Sequence, residues 1–155
     1  MNLKFINIYN NFVKLTRNKE LYKDFKKQDT FSDRLLFFLL HFAFFLKVYK
    51  NENNNKLLQE IYDYIFRQVE LSIREIGYGD QSINKKMKEY LNLFYGIIDK
   101  VHYWDDLDKE SKNLLLVNFL DNAANTDYLV KYFDKYKQFL LNNTLNSHIK
   151  DVINN

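Results

Sequence analysis

The densest concentration of unusual residues is Arg74-Glu75-Ile76-Gly77-Tyr78-Gly79-Asp80, followed by Ser82-Ile83-Asn84-Lys85-Lys86-Met87-Lys88. It holds two of the chain's three glycines and sets a guanidinium among carboxylates. Glu75 and Asp80 are of the right type for general acid–base work. No nucleophile or histidine lies beside them in sequence, so the pair lacks the partner such chemistry needs. The structural reading is a tight helix–helix turn. Gly77 stops one helix, Gly79 permits an unusual backbone angle, and Asp80 or Ser82 caps the next. Arg74 then pairs locally with Glu70 or Asp80. The functional version of the same turn is a rigid corner that presents Arg74, Asp80, Lys85 and Lys86 to a partner.

Other chemistry is mostly excluded by composition. With no cysteine in 155 residues, disulfides, thiolate catalysis, Fe–S clusters and cysteine-based zinc sites cannot be built. His41, His102 and His148 are far apart and form no HExxH or HxH pattern, so the expectation is no metal site. His41 sits in an apolar run; it reads as a hydrogen-bonded core histidine, with haem ligation or pH sensing as the sharper alternative. Gly77, Gly79 and Gly96 cannot form a phosphate loop, so nucleotide chemistry and a bound cofactor are not expected.

The elements that must position these residues read as helices. Pro is absent, Gly occurs three times, and Phe and Tyr together number 26. A sheet protein rich in tight turns needs more Gly and Pro. The length suits one domain with a sizeable core. Apolar spacing predicts helices over about Lys4–Phe25, Asp33–Lys50, Lys56–Ile76, Ile83–Val101, Lys109–Asp121 and Asp127–Leu141. Asp29, Thr30, Ser32 and Asp33 are the cap candidates for the second helix, and Asn125 or Thr126 for the sixth. The second helix is apolar nearly all round, so it is either central or covered by a partner. Gly96 inside the fourth implies close approach by a neighbouring helix, with Tyr95 beside it. Tyr103-Trp104 either closes the bundle or forms an exposed anchor. Residues 142–155 are expected to be a weakly ordered tail, leaving 1–141 as one irregular all-α bundle of about six helices.

The run Leu35–Leu46 covers about 18 Å, short of the ~30 Å hydrocarbon thickness, so it reads as a core helix. Residues 1–28 carry seven Lys and Arg against Glu20 and Asp24, while the whole chain is only +3. A basic first helix is a solvated face, or suits lipid headgroups or RNA phosphate. No secretory signal is evident, and the first 20 residues lack the Arg and Ser enrichment of a transit peptide.

The corner also resembles the signature of the ubiquinol–cytochrome c chaperone family, assembly factors for the cytochrome b subunit of respiratory complex III. The resemblance rests on Arg74, Glu75, Gly77, Gly79, Asp80, Lys86, Met87 and Lys88. In order along the chain, Tyr22, Asp29-Thr30, Asp33-Arg34-Leu35, Leu40-His41 and Phe94-Tyr95-Gly96 match further family segments. The stretch covered is about residues 9–105. Gln28 stands where the family usually has Pro, Leu35 replaces an aromatic residue, and Ile97 often an Arg.

What the resemblance implies is a non-catalytic chaperone for newly made cytochrome b, gripping its apolar transmembrane segments. It also implies a small partner protein, the ribosome and peripheral membrane contact as further partners. Its client- and partner-binding residues would be Arg34, His41, Arg74, Glu75, Gly77, Gly79, Asp80, Lys85, Lys86, Tyr95 and Gly96. The expected location is a bacterial cytoplasm beside the inner membrane, with the mitochondrial matrix as the alternative. Two other functions are weighed beside it: a basic helical RNA- or ribosome-binding module, and a small lipid or isoprenoid enzyme. The second lacks the paired Asp-rich motif of a pyrophosphate metal site.

Overall fold

The computed structural model describes residues 3–27 and 30–153. Gln28 and Asp29, singled out in the sequence, lie outside the described residues. The described residues fold into seven α-helices: α1 Ile6–Thr16, α2 Phe31–Tyr49, α3 Asn55–Glu75, α4 Asp80–Val101, α5 Lys109–Phe119, α6 Asp127–Leu141 and α7 Leu145–Lys150. Short 3₁₀ turns occupy Lys19–Tyr22 and Trp104–Asp106. Among the described residues there is no strand, only an isolated antiparallel bridge between Phe25 and Ala123.

The second helix is the axle of the bundle. Thr30 caps it by accepting from the Asp33 amide at 3.2 Å. Twelve of its nineteen residues are buried. Helices α1, α4 and α6 pack around it. Its Phe42 lies 5.5 Å from the ring of Phe12 and stacks on Phe94 at 5.3 Å and 14°. Its Phe44 stacks on Phe133 at 5.0 Å and 10°. Of the two roles the sequence left open for this helix, the central one holds. No helix among the described residues is long and apolar enough to cross a membrane.

Three expectations are corrected. The predicted first helix does not continue to Phe25: α1 ends at Thr16, and Asn18 caps a 3₁₀ turn through the Glu20 amide. Leu21 is still buried, because a 3₁₀ turn can aim apolar side chains inward as well as an α-helix can. The segment after residue 141, expected to be weakly ordered, forms α7 behind a Thr144/Ser147 capping box, with Leu145 and His148 buried. Tyr49 and His148 meet at 2.8 Å, and the Asn7 side chain donates to the Ile149 carbonyl at 3.0 Å. Gly96 is exposed, and nothing lies within 4 Å of where its Cβ would be, so no helix crosses closely there.

Trp104 and Tyr103 divide the roles offered for them. Trp104 is fully buried and its indole N–H donates to Asp134 at 2.8 Å, whereas Tyr103 is exposed. Lys112 reaches the same carboxylate at 3.0 Å. Asp105 accepts from Lys137 and faces Lys47 at 3.4 Å, fastening α2 and α6 to this turn.

Candidate functional site

The corner between α3 and α4 is built as the residues imply. The Gly77 amide bonds back to the Arg74 carbonyl, and Gly77 takes φ +105°, a value that residues with a Cβ adopt only under strain. Gly79 needs no special freedom: it is extended at φ −76° and serves as the N-cap of α4. Asp80 is therefore the first residue of the helix and not its cap. Its carboxylate accepts from Arg74 at 2.6 Å, and Arg74 also faces Glu70 at 3.6 Å. The local ion pair expected from the sequence is thus formed. Both partners are exposed, so it orients the turn and adds little stability. Glu75 and Lys85 are exposed beside it. Lys86 lies 5.8 Å from the Tyr78 ring and 3.9 Å from Glu89.

From this corner α3 and α4 run antiparallel and leave a groove between them. At the corner end it is lined by Phe66, Met87, Leu91 and Tyr95, with Asp63, Arg67, Glu70 and Lys88 on its rim. The corner section is about 520 Å³, and toward the far end of the hairpin a second cleft of about 340 Å³ follows. The floor there is Ala43 and Leu46 of α2, Leu58 of α3 and Ile98 of α4, with Lys47, Lys50, Gln59 and His102 around it. Between the two sections the hydroxyls of Tyr62 and Tyr95 meet at 3.1 Å. Burial, then this contact, pushes the Tyr62 phenol up, so it stays a neutral hydrogen-bonding group.

Of the sequence-selected residues, Arg74, Glu75, Gly77, Gly79, Asp80, Lys85 and Lys86 share the corner, and Tyr95 lines the groove. Gly96, next to it, lines neither section of the groove. His41 and Arg34 belong elsewhere. His41 is fully buried: Nδ1–H donates to the Phe37 carbonyl at 2.6 Å, leaving Nε2 to accept from the Tyr132 hydroxyl at 2.6 Å. Burial lowers its pKa to about 4, so the ring is neutral and held. The core-histidine reading is the one the geometry supports. Arg34 opens α2 and lines clefts beside α1, with none of the groove residues among their lining.

The sequence reading missed the groove itself. Met87 and Leu91 pack half-buried against the core and also line the groove; Tyr62 and Phe66 line it too and carry no separate signal in the sequence. The available signal was Met87, Leu91 and Tyr95 at four-residue spacing, a second apolar line on one helix. Among the described residues no group of His, Asp and Glu is arranged to hold a metal ion.

No curated protein matches the chain. Among solved structures, the crystal structure of the Cbp3 homolog from Brucella abortus is similar over 97% of this chain and 87% of that chain. The two share 27% identity and superpose with a TM-score of 0.76. The sequence model of the ubiquinol–cytochrome C chaperone family matches residues 23–133. That match extends beyond residue 105, where the residue-by-residue resemblance faded, and takes in α5 and the first half of α6. The groove, its charged corner and the ring-packed axle behind them therefore belong to a member of the ubiquinol–cytochrome C chaperone family.

Proposed function

We propose that this chaperone's client is newly made cytochrome b, and that the α3–α4 groove receives the client's apolar helices before assembly of the ubiquinol–cytochrome c complex. The observation that carries the reading is the groove's length and lining. Taken together its two sections run from Asn55 to Glu70 along α3, about 23 Å at 1.5 Å per residue, which covers most of the ~30 Å apolar length of one transmembrane helix. An apolar floor of Phe66, Met87, Leu91, Leu58, Leu46 and Ile98 would shield such a helix from water. The charged rim leaves the empty groove soluble, and the Tyr62–Tyr95 pair offers polar contacts half-way along. Holding a helix requires no bond-making, so the role is non-catalytic and release needs only a better-packed destination. The reading places the protein in a bacterial cytoplasm beside the inner membrane, where a small partner protein and the ribosome would complete its surroundings.

The test is capture of the tagged protein from its own membranes with mass spectrometry of what accompanies it. Recovery of cytochrome b is expected, reduced at least tenfold by the double substitution Met87→Glu and Tyr95→Glu while circular dichroism and the melting temperature hold. Buried hot-spot contacts of this kind typically cost about 1.4 kcal/mol or more each, a factor of ten. Undiminished recovery from the double variant would remove the groove from the mechanism. Recovery of ribosomal components alone would replace the client.

A further inference from the structure

Resting on the reading of the α3–α4 groove as the client site, we infer that the Tyr62–Tyr95 pair selects among apolar helices. It favours one that carries a single uncharged hydrogen-bonding side chain at its centre over one that is apolar throughout. The placement comes first. Tyr62 lies midway between Asn55 and Glu70, the outermost α3 residues of the two groove sections, about 11 Å from either at 1.5 Å per residue. Tyr62 lines the far section and Tyr95 the corner section, so their hydroxyls, 3.1 Å apart, mark the junction.

The pair is half-satisfied. Each phenol has one O–H to donate, and the contact between them uses one of the two. Among the described residues no other group bonds to either hydroxyl. The Gln59 amide, one turn earlier on α3, donates to Asp63 at 3.0 Å instead. In an open groove water serves the remaining O–H, and a docked helix displaces that water. Tyr62 cannot follow the water out. Its ring is wedged among Phe42, Phe66 and Phe94 of three helices, at centroid distances of 6.5, 4.8 and 6.2 Å. Tyr95 is 55% exposed and can turn, but turning leaves Tyr62 without its partner.

The neighbours decide the kind of side chain. A client carboxylate at this point would meet Asp63, which lines the groove next to Tyr62. A client cation would exchange its hydration for two neutral phenols. An amide or hydroxyl accepts the remaining O–H at neither cost.

The experiment is titration of the purified protein with fluorescent synthetic helices of about 20 residues, Leu and Ala throughout with Lys at both ends, read by anisotropy. The central residue is Asn, Leu or Lys. The Asn helix should bind roughly tenfold more tightly than the Leu helix, the factor that one unmade buried hydrogen bond produces. Tyr62→Phe/Tyr95→Phe keeps both rings, removes both hydroxyls and should lose that preference, with circular dichroism and melting temperature monitoring the fold. A preference that survives in the double Phe variant would overturn the role of the pair. A central Lys that binds as tightly as Asn would overturn the requirement for an uncharged group. Equal binding of the Asn and Leu helices, abolished by Met87→Glu, would overturn the selection and leave the groove standing. Binding of none of the helices would overturn the groove reading and this inference with it.

Discussion

Helix α2 and the α3–α4 hairpin spend the same kind of residue in opposite ways. On α2, Phe37, Phe42, Phe44 and Phe45 are fully buried, each ringed by other aromatics. On the hairpin, Tyr95, Tyr78, Ile76 and Leu71 are exposed, and Phe66 is buried yet lines the groove. Rings packed on all sides give stability and a single arrangement. Rings packed on one side leave surface for another molecule. Because α2 carries the core, the hairpin is free to hold an open apolar groove. A ring-rich composition alone does not distinguish these uses; the neighbours of each ring do.

That contrast can be broken most strongly at Phe42, which touches Phe12, Phe45, Phe66 and Phe94. Phe42→Ala is expected to cost about 3–5 kcal/mol in urea unfolding, whereas Tyr95→Ala on the hairpin should stay within about 0.5 kcal/mol. Comparable losses at the two sites would erase the distinction.

The second largest effect concerns the buried histidines. Burial lowers both His41 and His148 to about 4 from 6.5. A depressed base is protonated more readily in the unfolded chain, so the unfolded state binds the extra proton between pH 6.5 and 4. Stability is therefore full above pH 6.5 and falls as the pH drops to about 4, on the order of 3 kcal/mol for His41. Replacing His41 by Gln should flatten that part of the profile of unfolding midpoint against pH. An unchanged profile would show that the core histidines are not its source.

The smallest effects separate two glycines of the hairpin. Gly77→Ala places a Cβ on a φ of +105° and is expected to destabilise by about 1 kcal/mol. Gly96→Ala fills open space inside an exposed helix and is expected to stabilise by about the same amount. Thermal melts of the two variants should move in opposite directions.

The contrast also explains how far the sequence could be read. Helices α2, α3, α4 and α6 were legible because each carries an apolar stripe of three turns or more or a run too apolar to be a surface. The corner was legible because Gly77, Arg74 and Asp80 act within a few residues of one another. The first helix was overextended because Leu21, Tyr22 and Phe25 keep helical spacing while a 3₁₀ turn and a bridge to Ala123 satisfy the same burial. Gly96 misled because a glycine in a helix signals close approach only if a neighbour arrives, and none does. Of the groove only the four-residue line of Met87, Leu91 and Tyr95 was legible, since whether that line meets core or opening depends on how far α3 and α4 stand apart. Likewise His148 and Leu145 looked like a fraying tail until the fold brought Tyr49 to them.

The clasp that α7 makes with α1 and α2 also sets an order in time. Asn7 bonds across 142 residues to Ile149, and Tyr49 finds His148 only when α7 is present. During synthesis the first helix leaves the ribosome long before its last neighbour exists. The axle and hairpin can form while the chain is still growing, but the seam between α1 and α7 closes only once residue 149 is free. The contacts that α1 makes with α7 are therefore the last to form, after those of the axle and hairpin.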